Sequence, residues 1–356
     1  MISDPAVVER WSAMRPAGVR FAALSVLLDV QLLKGPLQFT ASLMTILLAH
    51  EFGHYFAARA HRVDASLPFF IPMPLLSPFG TMGAVIKMKS AIGTRRALLD
   101  IGAYGPLAGL AVAIPLYAWG AAHSHPVTLT GDGDGVILGE SILLKSLDWI
   151  FAPPVPAGQE LMLSPIAFAA WGGMFVTMVN LLPVGQLDAG HVAWALFGPR
   201  QDTFAKWMYR TLFAVFLGSV AFSLFDDVRA GHGVSKLGAD IGDNLFWLAW
   251  FHVLGVLGAV SRTSAPAENE PPVRTRAVIL LAILLTAGWL EDQPWWLAAG
   301  WLALASVASV TLIRRTDPRL FNHPPAEGTL NAPRQGVAIL TLAFFVLLFM
   351  PRPIAL

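Results

Sequence analysis

Apolar runs of bilayer length recur along this chain, and they constrain its fold more than any other feature. They fall at about 20–34, 38–60, 98–120, 163–182, 207–225, 243–260, 276–291, 295–313 and 336–351. About 20 apolar residues carry a helix across the hydrocarbon of a bilayer. Inside lipid a helix also satisfies its own backbone groups. The spacing therefore predicts an all-α polytopic membrane protein with about nine transmembrane helices. The composition agrees: 55% of residues are hydrophobic and 13% charged, where soluble domains carry roughly a quarter charged.

The loop charges give the runs a direction. With the N-terminus on the cytoplasmic side, alternate loops should collect Lys and Arg. Residues 59–96 hold Arg59, Arg62, Lys87, Lys89, Arg95 and Arg96. Later loops on the same side hold Arg200, Lys206 and Arg210, then Arg262, Arg274 and Arg276, then Arg314, Arg315, Arg319 and Arg334. The opposite loops are acidic. Residues 121–160 carry Asp132, Asp134, Glu140, Asp148 and Glu160 against Lys145 alone. The opening "MISDPAVVERWSAMRPAGVR" is polar and has no small-residue cleavage site, so no removable signal peptide is read there.

Three segments are not spans. In 65–90, Pro68, Pro72, Pro74 and Pro78 forbid a spanning helix. "GTMGAVIKMK" alternates there as a short strand would, which predicts a small β-element near the cytoplasmic face. "GDGDG" at 131–135 reads as a flexible turn, and "SAPAENEPP" at 264–272 as a solvated linker.

Within the run at 38–60 stands "HEFGH". His50 and His54 are four apart, so both imidazoles leave one face of a helix. Glu51 reaches a water on an ion the two would share. This is the H-E-x-x-H arrangement of two zinc ligands and a general base. The plain alternative is a polar pair satisfied by neighbouring helices. Ionisable groups inside membrane helices are costly and mark function by default. Gly53 lets a second backbone approach closely.

A catalytic zinc needs a third protein ligand and an open position. From His54 the helix runs about six residues to Ala60, which puts the site roughly 9 Å from its end. "MVNLLPVGQLDAGHVAWALF" (178–197) is the other stretch with polar residues at that depth. Pro183 and Gly185 break the helix, and Asp188 starts a new one. Asp188 reads as the third ligand, against a simple N-cap. His191, one turn on, is the rival donor. Glu291, at the end of a span, is the acidic alternative of other zincins. Asp100 reads as an acid near a helix start, favoured by the dipole, and His252 as a packed histidine. Without cysteine, thiolate ligands and cysteine nucleophiles are excluded. His, His and carboxylate suit zinc.

"HEFGH", "GPLAG" (105–109) and "NLLPVGQLDAGH" (180–191) together resemble the site-2 protease family of intramembrane zinc metalloproteases. Ala189 stands where the family pattern has the first glycine after the aspartate. "FGTMGAVIKMKS" followed by "DIGAYGPLAG", with "HPP" (323–325) and "PRPI" (351–354), is similar to the branch that includes the chloroplast EGY-type proteins and their bacterial relatives. The resemblance implies a three-helix core with zinc held by His50, His54 and Asp188. It implies Glu51 as the base, and Asn180 as the residue that holds the substrate strand or the oxyanion. It implies cleavage of a transmembrane segment of another membrane protein.

The expected division is an N-terminal segment with a short first span (1–37), a metalloprotease core (38–225) and C-terminal transmembrane helices (226–356). The expected setting is a multi-pass protein of the bacterial inner (plasma) membrane, with its site towards the cytoplasm. Its partners are a transmembrane protein substrate and the lipid bilayer. No basic block with interleaved aromatics marks a nucleic-acid surface. A metal transporter would string polar residues through further spans, and those after 207 are nearly clean. A non-catalytic scaffold has no use for Glu51.

Overall fold

A computed structural model describes residues 30–72, 79, 81–90, 92–128, 137–261, 270–316 and 320–355 of the chain. Most of the expected span at 20–34, the turn at 131–135 and most of the linker at 264–272 lie outside these residues.

The described residues form ten helices and six short strands. α1 (Val30–Ala60) leads into a hairpin of β1 (Phe69–Pro72) and β2 (Thr81–Val85). α2 (Arg95–Ala122), β3 (His125–Val127), β4 (Ile137–Leu138), α3 (Ile142–Phe151) and β5 (Glu160–Met162) follow. Next come α4 (Pro165–Asn180), α5 (Asp188–Phe197), α6 (Arg200–Arg229) and α7 (Leu237–Ser261). α8 (Val273–Ala287), α9 (Trp295–Arg315), α10 (Ala332–Leu348) and β6 (Ile354–Ala355) complete the order.

Helix ends follow local chemistry. Thr94 caps α2 and Ser164 caps α4, each hydroxyl accepting from the backbone N–H three residues on. Asn331 does the same for α10. The cap at Thr94 corrects one expectation. α2 begins at Arg95, so Asp100 lies in its second turn, and it answers to side chains rather than to the dipole.

α2, α6, α7 and α9 are long and apolar enough to cross a membrane. α1 is longer still, at 31 residues, but Lys34, Glu51 and the histidines dilute its hydropathy. α4 and α10 are apolar but have only 16 and 17 residues, and α8 has 15. By length and apolarity four of the described helices therefore qualify as spans. Large apolar side chains stand exposed along α6, α8 and α9, Phe222, Leu285 and Leu304 among them. Such a surface belongs against hydrocarbon, and the protein is an integral membrane protein.

The expected β-element is present. β1 and β2 pair antiparallel, Phe69 opposite Val85 and Phe70 opposite Ala84. Two further two-stranded sheets were not expected. β3 pairs with β5, and β4 with the C-terminal β6, which carries the end of "PRPI".

The core that positions the site is made by α1, α2 and α4. Ile46 of α1, Leu110, Ala113 and Tyr117 of α2, and Trp171, Met174 and Met178 of α4 are all buried in one cluster. α1 and α2 cross at Gly53. A Cβ there would collide with the Tyr104 carbonyl, so the two backbones touch as the sequence implied.

Candidate metal centre

The histidines project from α1 towards α2 and α5. His50, Glu51 and His54 are buried, and their donor atoms lie within 4.8 Å of one another. α2 turns a glycine face to them. A Cβ on Gly105 would strike the His54 ring, and one on Gly109 would sit 3.2 Å from His50 Cβ. "GPLAG" thus lets a helix backbone pass directly beside two imidazoles.

Asp188 arrives from the other side. Pro183 ends the run of α4, and Gly185 turns the chain at φ +57°, where glycine is favoured. Gln201 of α6 donates to the Pro183 carbonyl at 2.7 Å and tethers this loop. α5 then starts at Asp188. Its N-cap is Leu187, and no side chain caps it. The Asp188 carboxylate instead faces the histidines. At the far end of α5, Arg95 donates to the Ala195 and Leu196 carbonyls at 2.8 and 3.1 Å.

Three atoms converge. His50 Nε2 and His54 Nε2 are 3.1 Å apart. Asp188 Oδ2 lies 3.2 Å from the first and 3.3 Å from the second. His54 Nδ1 is 2.6 Å from the Ile101 carbonyl. A carbonyl only accepts, so Nδ1 carries a proton, and in the neutral imidazole Nε2 presents a lone pair. In that neutral form His54 Nε2 and Asp188 Oδ2 are two acceptors face to face, a pair that a cation or a proton between them resolves.

The donor set fits zinc. Tetrahedral zinc with bonds of about 2.0–2.1 Å sets its ligands about 3.3–3.4 Å apart. The observed triangle has sides of 3.1–3.3 Å. A ligating histidine ordinarily gives its other N–H to a carbonyl or carboxylate, as His54 does.

Glu51 is beside the triangle but not in it. The backbone amide of Ile86, just past β2, faces its carboxylate. Asn180, the last residue of α4, is half-buried and makes no side-chain hydrogen bond among the described residues. His191 is not part of the triangle. Its Nδ1 meets His323 at 2.6 Å instead. His252 is buried and bonded to Ser309, away from the site, as a packed histidine would be.

The description "Peptidase family M50" matches residues 38–219, half of the chain, and those residues hold His50, Glu51, His54, Asn180 and Asp188. The chain belongs to this family. Among curated proteins it is similar to "Probable zinc metalloprotease EGY2, chloroplastic" of Arabidopsis thaliana, 28% identical over 51% of this chain and 32% of the relative. The protein of the same name from Oryza sativa subsp. indica is 25% identical over 74% of this chain and 44% of its own length. "Probable zinc metalloprotease EGY1, chloroplastic" of Oryza sativa subsp. japonica is 33% identical over 48% and 30%. The chain therefore spans 30% to 44% of the length of these relatives. No solved structure matches this M50 family member.

Proposed function

We propose that the chain is an intramembrane zinc metalloprotease that hydrolyses a peptide bond within or near a transmembrane segment of another membrane protein. The observation that carries this is the buried triangle of His50 Nε2, His54 Nε2 and Asp188 Oδ2, with a carboxylate beside it that the triangle does not use. Membership in family M50 supports the same reading.

In this reading His50, His54 and Asp188 hold zinc. When bound there, zinc acidifies a water and polarises a carbonyl oxygen. Glu51 takes the proton of the attacking water and passes it to the leaving amide nitrogen. The Asn180 amide has no side-chain partner among the described residues and donates to the substrate, at its carbonyl oxygen or along its backbone. A transmembrane helix hides its amides in its own hydrogen bonds, so the scissile segment unwinds first. β2 pairs only with β1 among the described strands, and the edge turned away from β1 takes the extended substrate by strand addition.

The setting follows from the charges. α1, α4, α8 and α10 cross together with the four longer helices, which makes eight spans among the described residues. In this reading the Lys- and Arg-rich loops lie in the cytoplasm, with the site near the cytoplasmic face of a bacterial inner membrane.

The test is cleavage of a model transmembrane substrate in detergent by the wild type and by Glu51→Gln, with bound zinc measured in both. Activity lost with zinc retained supports a hydrolase with Glu51 as base. Zinc bound by both and cleavage by neither, across several substrates, removes the proteolytic reading.

A further inference from the structure

The family match ends at residue 219, yet a residue far beyond it is bonded into the helix that carries Asp188. His323 lies between α9 and α10. Its Nδ1 is 2.7 Å from the Pro324 carbonyl. That carbonyl only accepts, so Nδ1 bears the proton and Nε2 is an acceptor. Burial holds this imidazole below its ordinary pKa, so the neutral form such an acceptor requires is favoured. His191 Nδ1 stands 2.6 Å from that Nε2 and must donate to it.

Other contacts fix the same segment. The His323 ring stacks on Trp194 at 5.2 Å between centroids. Its backbone N–H donates to Asp202 of α6 at 3.1 Å. Phe321, two residues earlier, lies against the Gly185 turn and against Tyr209. The segment thus grips α5 at two side chains, the turn before it, and the helix after it.

α5 needs such a hold. It has ten residues, no side-chain cap, and an entry through a glycine turn. Asp188 and His191 are three residues apart, so they share a face one turn from each other. A small rotation of α5 about its axis would carry the Asp188 carboxylate out of the triangle. We propose that His323 is a positioning residue for the metal centre: by accepting from His191 and stacking on Trp194, it fixes α5 so that Asp188 stays in place. This rests on the reading of His50, His54 and Asp188 as ligands. It makes the region after residue 219 part of the site's support rather than added packing.

The test uses the full chain in detergent and Co2+ alone. Affinity is measured by competition with a chelator, and geometry by the visible absorption of the bound ion. His323→Phe keeps a ring on Trp194 but has no acceptor, whereas His323→Gln offers a carbonyl oxygen. His323→Phe is expected to weaken Co2+ binding about 10-fold and to alter its spectrum, while His323→Gln stays within about threefold of wild type. In a His191→Phe background, His323→Phe should add little further loss, because both break one bond. Wild-type affinity and spectrum in His323→Phe would overturn the inference, as would equal losses with and without His191. Should His323→Phe fail to fold, His191→Phe alone reads the same bond from its other end, and an unchanged affinity there overturns it too. A wild type that takes up no Co2+ would overturn the ligand assignment itself, and this inference with it.

Discussion

Arg334, in the first turn of α10, clasps Asp100 of α2 with a fork of three contacts. Nη2 lies 2.8 Å from Oδ2, and Nε lies 3.1 Å from both carboxylate oxygens. His61 Nε2 reaches the same carboxylate at 2.7 Å. The next residue, Ile101, lends its carbonyl to His54. The C-terminal helix is therefore fastened to the catalytic core one residue from the support of a proposed ligand.

Arg334→Ala should leave a buried carboxylate with His61 as its remaining partner. Breaking a buried pair costs about 3–5 kcal/mol. Here the Arg334 side chain is 31% exposed and His61 stays, so a loss of about 1–3 kcal/mol is expected. Arg334→Lys restores the charge but not the fork and should recover only part of it. Thermal unfolding in detergent measures this, and an unchanged midpoint for Arg334→Ala would mean that α10 docks without the pair.

The two glycines beside the histidines should respond differently. A Cβ on Gly105 collides with the His54 ring, while one on Gly109 meets His50 Cβ at 3.2 Å. Gly105→Ala is expected to displace His54 and to lose most of the bound zinc. Gly109→Ala is expected to keep its zinc, at a packing cost of about 1 kcal/mol. Zinc content per purified chain decides it. Equal content in both variants would contradict the close crossing of α1 and α2.

Removing the metal should loosen the loop at 181–187. Without a cation, only a proton can join His54 Nε2 to Asp188 Oδ2 across their 3.3 Å separation. A bound ion at a hundred times its Kd stabilises the fold by about 2.7 kcal/mol. Chelation should therefore lower the unfolding temperature and speed amide exchange in 181–188. The pH sign is fixed by the proposed ligands, which would bind as neutral imidazole and carboxylate. Protons compete as pH falls, so the metal-dependent gain should shrink towards acid and not towards base. A gain that grew on acidification would argue against this ligand set.

The convergence of His50, His54 and Asp188 was largely legible because its parts obey local rules. Four-residue spacing on a helix puts His50 and His54 together, and a polar break at matching depth points to Asp188. The alternatives at Asp188 separate only in three dimensions. The cap at Leu187 bears no side-chain bond, and His191 turns to His323. That last pair spans 132 positions, and no spacing rule reaches so far. Asp100 was misread for a smaller reason. Thr94 caps the helix earlier than the apolar run suggests, so the acid sits inside the helix and needs Arg334. The strand pairing of the C-terminal Ile354 with Leu138 was invisible, because two-residue strands leave no periodicity.

The free edge of β2 can be tested without touching the metal. The Lys87 carbonyl accepts from Ser66, and the Lys89 N–H donates to Asp64, so alternate positions face the neighbouring strand. Ile86, between β2 and these pairs, turns its amide to Glu51. By the same alternation Ala84 presents its N–H on the edge nearest the base. If an unwound substrate adds along this edge, that N–H is one of its hydrogen bonds. Proline removes the donor yet is tolerated at a strand edge. Ala84→Pro should thus slow cleavage of a transmembrane substrate by about 10-fold or more, with zinc content unchanged. Zinc lost along with activity would place the damage in the fold. Zinc retained with cleavage at the wild-type rate would show that the substrate reaches Glu51 without pairing to β2.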